Sequence, residues 1–73
     1  MYVLRLDSTS LDRVDYDPSN GALLVVFRDR SSYRYYDVPA TVFEQLREAP
    51  SKGAYFNHAI RGIYNFLPVR WED

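Results

Sequence analysis

A chain of 73 residues makes one small domain with a thin core, since a polypeptide this short buries only about 60% of its unfolded surface. With no cysteine and a single histidine, His58, disulfides, thiolate metal sites, a cysteine nucleophile and multi-histidine centres are excluded. A formal net charge of −1 provides no overall field toward nucleic acid or anionic lipid, so contact with either requires a local patch.

Stability must therefore come from packing. Seven tyrosines, four phenylalanines and a tryptophan supply large buried areas per residue. The opening MYVLRLDSTS lacks the basic and long apolar regions of a secretory leader, and no apolar run approaches membrane-spanning length. The expected setting is cytoplasmic, with no membrane association. The expected domain is the whole chain, 1–73.

In chain order, "YVLRL" has the composition of an edge strand. "RVDYD" alternates, with Val14 and Tyr16 on one face and Arg13 and Asp15 on the other. "PSNG" follows as a turn, with Pro18 suited to its start and Gly21 to a left-handed closing position. "ALLVVFR" is apolar and β-branched enough for a central strand. A loop "DRS" leads to the strand "SYRYY".

A four-residue loop 18–21 sets Asp17 opposite Ala22 and Tyr16 opposite Leu23. A three-residue loop 29–31 sets Arg28 opposite Ser32 and Phe27 opposite Tyr33. One face then gathers Val14, Tyr16, Leu23, Val25, Phe27, Tyr33 and Tyr35. The other gathers Arg13, Asp15, Leu24, Val26, Arg28, Arg34 and Tyr36. A slip of one residue would mix the two sets.

"DVPATVFEQLREA" predicts a first helix, with Pro39 in its first turn. Val42, Phe43 and Leu46 point inward, while Glu44, Gln45, Arg47 and Glu48 face water. Pro50 stops it, and Ser51 is an N-cap for a second helix. Tyr55, Phe56, Ala59, Ile60, Ile63 and Tyr64 form that helix's apolar side, and Pro68 ends or follows it. Residues 67–73, containing "VRWED", form a tail or a short strand. The expected class is α+β: an antiparallel β-meander of three to four strands with two helices packed on one face, the one carrying Tyr33 and Tyr35.

"LLVVFRDRSSYRYYDVP", "VFEQL" and "SKGAYFNHAIRGIY", in this order, resemble the KTSC domain. That short module is named from the C-terminus of some lysyl-tRNA synthetases and also occurs as a free-standing small bacterial or phage protein. The resemblance runs from about residue 8 to residue 66. It rests on the Tyr-x-Tyr of Tyr33 and Tyr35 and on Val38-Pro39. It continues in the second helix with Ser51, Gly53, Tyr55, Phe56, Asn57, Ile60 and Arg61. A glycine frequent in the family's second hairpin is absent from "DRSS". The resemblance implies a module of unestablished function for which RNA binding has been suggested.

Catalysis has no support in the residues, since no nucleophile, base and oxyanion site assemble from the scattered acids and serines. No cofactor or metal is expected. Ser51, Lys52 and Gly53 place a hydroxyl, an ammonium and free N–H groups at the positive end of a helix. The competing reading is an ordinary cap beside a solvated lysine. Tyr36 among arginines would stack a base while the guanidinium groups neutralise phosphates. Alternatively, those arginines offset Asp15 and nearby acids. Asn57 and Arg61 share a helix face, either to hold a partner or to bond the sheet edge, the Tyr35 hydroxyl, Asp37 or Glu48. The expected activity is non-catalytic RNA binding through Arg28, Arg34, Tyr36, Lys52 and Arg61. The alternative is a protein-interaction or self-associating surface at Leu24, Val26 and Tyr36.

Overall fold

The computed structural model describes residues 1–6 and 9–70. Five strands, β1 (Tyr2–Arg5), β2 (Leu11–Asp17), β3 (Ala22–Phe27), β4 (Ser32–Tyr35) and β5 (Phe66–Val69), form one antiparallel sheet in sequential order. Helices α1 (Ala40–Glu48) and α2 (Lys52–Ala59) lie in the chain between β4 and β5. The class is α+β, as expected, and edge strands complete the meander on both sides. The last strand begins at Phe66 rather than at Val69, and the remainder of "VRWED", residues 71–73, lies outside the described residues.

The first hairpin has the expected register, with Asp17 opposite Ala22 and Tyr16 opposite Leu23. Its turn is built by side chains as well as by Gly21. Asp17 Oδ1 accepts from the Ser19 N–H at 3.0 Å and from its hydroxyl at 2.7 Å, and Gly21 closes the loop at φ +71. In the second hairpin Val25, not Phe27, stands opposite Tyr33, and Val26 stands opposite Ser32. The loop is Arg28–Asp29–Arg30, one residue earlier than expected. The Arg30 N–H donates to the Phe27 carbonyl at 3.0 Å and the Phe27 N–H to the Ser31 carbonyl at 2.9 Å. Arg30 takes the left-handed position at φ 75, where a glycine would ordinarily stand. Asp29 Oδ1 holds the Ser31 N–H and hydroxyl at 2.9 and 2.6 Å, so "DPS" and "DRS" make the same Asp-x-Ser turn. The slip is by two, so every side chain keeps its expected face.

A bulge between Leu11 and Arg13 resets the phase of β2. It sends Leu11 into the core alongside Val14 and Tyr16, each nearly inaccessible. The helices cover this face in two halves. On the β1–β2 side, Phe43 of α1 stacks on Tyr16 at 4.8 Å. Over β3 and β4, Phe56 of α2 meets Phe27 at 5.7 Å and Tyr35 at 5.6 Å, both edge-on. The Tyr55 hydroxyl ties the helices together by donating to Gln45 Oε1 at 2.9 Å.

Val38 and Pro39 act structurally. The Val38 carbonyl accepts the buried Tyr16 hydroxyl at 2.6 Å, and its N–H donates to the Gly21 carbonyl at 2.9 Å. Pro39 is the N-cap of α1. Ser51 caps α2 as expected, accepting the Ala54 N–H at 3.4 Å. That helix is shorter than its apolar pattern suggested. It stops at Ala59, the chain turns through Gly62 at φ +78, and Ile63 is left exposed while Tyr64 still packs on the core. A left-handed glycine just past the last turn is a helix stop, and it frees the following residues to return as β5.

The face away from the helices is less open than the alternating pattern implied. Val26 is only 1% exposed and Asp15 7%. Arg13 lies across this face with Nε 2.8 Å from Asp15 Oδ1 and its terminal nitrogen 3.1 Å from Oδ2. The aliphatic stem of an arginine covers apolar surface while its head stays paired.

Candidate functional site

The five residues expected to contact RNA divide over the molecule. Arg34 and Tyr36 share the face away from the helices, where a shallow depression of about 340 Å³ is also lined by Leu24, Asp15 and Asp17. Asp15 is paired with Arg13, and the carboxylate of Asp17 makes that depression a poor phosphate site. Arg28 reaches the edge of the sheet, donating to the Leu6 carbonyl at 3.1 Å and lying 3.5 Å from Asp12 Oδ1. The Lys52 ammonium folds back onto the Ala49 carbonyl at the end of α1, at 3.0 Å. With Ser51 committed to its cap, that geometry fits the ordinary-cap reading of the α2 N-terminus.

Arg61 has a different setting. The chain brings it off the end of α2, and its guanidinium carbon sits 5.6 Å from the Phe56 ring centre and 6.0 Å from that of Phe27. Such cation–π contacts contribute about 0.5–1 kcal/mol at exposed sites. The rings continue along the sheet. Tyr33 meets Phe27 edge-on at 5.9 Å and Phe66 at 5.6 Å, and Tyr35 lies 5.4 Å from Phe66. Tyr35 is buried, Tyr33 is half-buried and Phe66 is 49% exposed. The cluster therefore grades from core to solvent within a few rings.

Burial raises the Tyr35 phenol above its ordinary value of 10.0, and the positive charge of Arg61 pulls it part of the way back. Arg61 thus lies over two rings, with its charge felt at the Tyr35 phenol. Asn57 is exposed on α2. The motif residues Tyr33, Tyr35, Phe56 and Arg61, far apart in sequence, meet at this one place. Phe66 was not anticipated, because its stretch followed what looked like continuing helix. The signal was Gly62, a stop followed by "NFLPV".

The arrangement offers a half-exposed ring and a positive charge within one aromatic cluster. Among the described residues, no group of three or more histidines and carboxylates could hold a metal ion. No helix among them is long and apolar enough to cross a membrane.

A family model described as the KTSC domain matches residues 7–64. A crystal structure of a KTSC domain protein from Yersinia pestis superposes with a TM-score of 0.88 at 28% identity, covering 93% of this chain and 96% of that one. An uncharacterized protein from Stutzerimonas stutzeri is 41% identical over 56 residues, 77% of this chain and 79% of its own length. A lysine–tRNA ligase from Nostoc sp. is 36% identical over 64 residues, which is 88% of this chain and 11% of the ligase. The match thus falls both on small proteins of similar length and on a short segment of a large synthetase. Together with the shared sheet and helix layer, it establishes that the chain belongs to the KTSC-domain family.

Proposed function

We propose that this protein is a non-catalytic RNA-contacting module whose centre is Arg61 with the rings of Phe66 and Tyr33. The observation that carries this reading is the guanidinium held over Phe27 and Phe56, whose rings run on through Tyr33 and Tyr35 to a half-exposed Phe66. Single-stranded RNA is gripped by aromatic faces that stack bases and by cations that meet the adjoining phosphates. The similarity to a segment of a lysine–tRNA ligase, an enzyme named for an RNA substrate, points the same way. Arg28, Arg34, Tyr36 and Lys52 are secondary in this reading. They sit apart from the cluster, and Arg28 and Lys52 are engaged within the chain.

Self-association through Leu24, Val26 and Tyr36 is the weaker alternative. Val26 is covered by its own chain and has almost no surface left to contribute.

An NMR titration of labelled protein with short single-stranded RNAs at two salt concentrations tests the proposal. Shifts are expected at Arg61, Tyr33 and Phe66. Phe66→Ala is expected to weaken binding by about 1–3 kcal/mol, the usual worth of one stacked base. Arg61→Ala is expected to weaken it across all sequences and reduce the salt slope by about one. Shifts confined to Arg34 and Tyr36, or none with any RNA, would remove the assignment.

A further inference from the structure

The two edges of the sheet are not equivalent. On the β5 side, the Tyr36 N–H donates to the Asn65 carbonyl at 3.0 Å. Antiparallel ladders alternate, so Leu67 and Val69 also bond toward β4 while Phe66 and Pro68 face outward. Proline has no N–H, so this edge lacks a donor at one of its outward positions, a common guard against unwanted pairing. On the β1 side, the Leu6 N–H donates to the Asp12 carbonyl at 3.0 Å. The same alternation turns Tyr2 and Leu4 toward β2 and leaves the N–H and C=O of Val3 and Arg5 pointing outward. Neither is a proline, and the strand carries no bulge. Its apolar side chains are unusually bare, with Tyr2 55% and Val3 52% exposed, and Met1 just before it 79%.

We propose that β1 is a pairing edge for a second copy of this chain, joining two sheets into one continuous antiparallel sheet. The edge is complementary to itself in one register. With Val3 opposite Arg5 of the second copy, and Arg5 opposite its Val3, every outward donor and acceptor of Val3 and Arg5 on both chains finds a partner. Leu4 then stands opposite its own copy on the helix-covered face, extending the apolar layer of Leu4 and Val14. A register two residues further along would set the two Arg5 guanidinium groups against each other, and like charges directly opposite destabilise a pair. Two residues the other way would place Val3 on Val3 and move Arg5 out to the end of the strand. A one-residue slip would turn the faces over. Charge rules out the Arg5–Arg5 register, face rules out the one-residue slips, and pairing of both outward residues within the strand favours Val3–Arg5 over Val3–Val3. The strand is short, so the association is weak, roughly micromolar to millimolar.

Sedimentation or native mass measured against concentration tests this with the full chain. The wild type is expected to shift toward twice its mass as concentration rises to about 1 mM. Val3→Pro removes an outward donor and leaves every β1–β2 hydrogen bond in place, so it is expected to stay monomeric with an unchanged NMR spectrum for the core. Amide exchange on the wild type gives a readout that needs no variant. The Val3 and Arg5 amides are expected to gain protection with concentration, and Phe66 is not. A wild type that remains monomeric at about 1 mM overturns the proposal, as does a Val3→Pro variant that associates equally well. So does a dimer in which Val3 and Arg5 gain no protection. Arg61 and Phe66 lie on other elements, so the result stands apart from that of the RNA titration.

Discussion

Individual residues at the two hairpins carry more of this fold than their surface position suggests. Gly21 sits at φ +71, and a Cβ added there would meet the Val38 N and O atoms at 3.2 Å. Those atoms belong to the segment that also receives the buried Tyr16 hydroxyl. Gly62 has a similar φ of +78 but nothing within 4 Å. Gly21→Ala is therefore expected to cost about 2 kcal/mol or more, and Gly62→Ala about 1 kcal/mol, the backbone cost alone. Urea unfolding of both variants would check the difference, which reports the close approach of the Gly21 loop to Val38. The Asp-x-Ser turns make a pH prediction at the same scale. Hydrogen bonds from Ser19 and Ser31 stabilise the carboxylates of Asp17 and Asp29 and hold their pKa values below the ordinary 3.8. Their stabilising contribution is present above the ordinary carboxylate range and is lost as pH falls through the lowered folded values. Urea midpoints are expected to drop between neutral pH and about pH 3, less steeply in a chain carrying Asp17→Asn and Asp29→Asn. An unchanged slope in that double variant would count against it.

Among the elements, α2 is the one whose loss would matter most. It has eight residues, too few to stand as a helix without packing. A single fully buried side chain, Phe56, anchors it against Phe27 and Tyr35 while Arg61 rides on the other ring face. Phe56→Ala is expected to cost about 3–5 kcal/mol, a large share of the 5–15 kcal/mol that holds an ordinary domain together. It would also remove the platform under Arg61. Calorimetry should show a fall in Tm well beyond that of Ser51→Ala, where the loss of a cap costs about 0.5–1 kcal/mol.

For the molecule as a whole, the net charge of −1 bears on what kind of binder it can be. Without a general attractive field, RNA affinity must come from a few local contacts and be correspondingly weak. Neutralising one to three phosphates on a single strand gives a slope of log K against log salt of roughly −0.7 to −2. A slope near zero, or one as steep as that of a basic nucleic-acid binder, would contradict the small-cluster reading.

Alternation, turn residues and caps made the sheet faces, the first hairpin, the start of both helices and the family likeness legible in the sequence. These depend on neighbours within a few positions, so local chemistry is enough to specify them. The second register was not legible, because "DRSS" offers no glycine and only the folded loop places Arg30 at a positive φ. The end of α2 and the returning strand were hidden for a related reason. Apolar residues continue past Gly62, and only pairing with β4 turns them into an edge. Arg61 over Phe56 and Phe27, in one ring cluster with Phe66, is a convergence of three chain segments. No periodicity encodes it, since a residue's long-range neighbours are fixed when the sheet and helices close on one another.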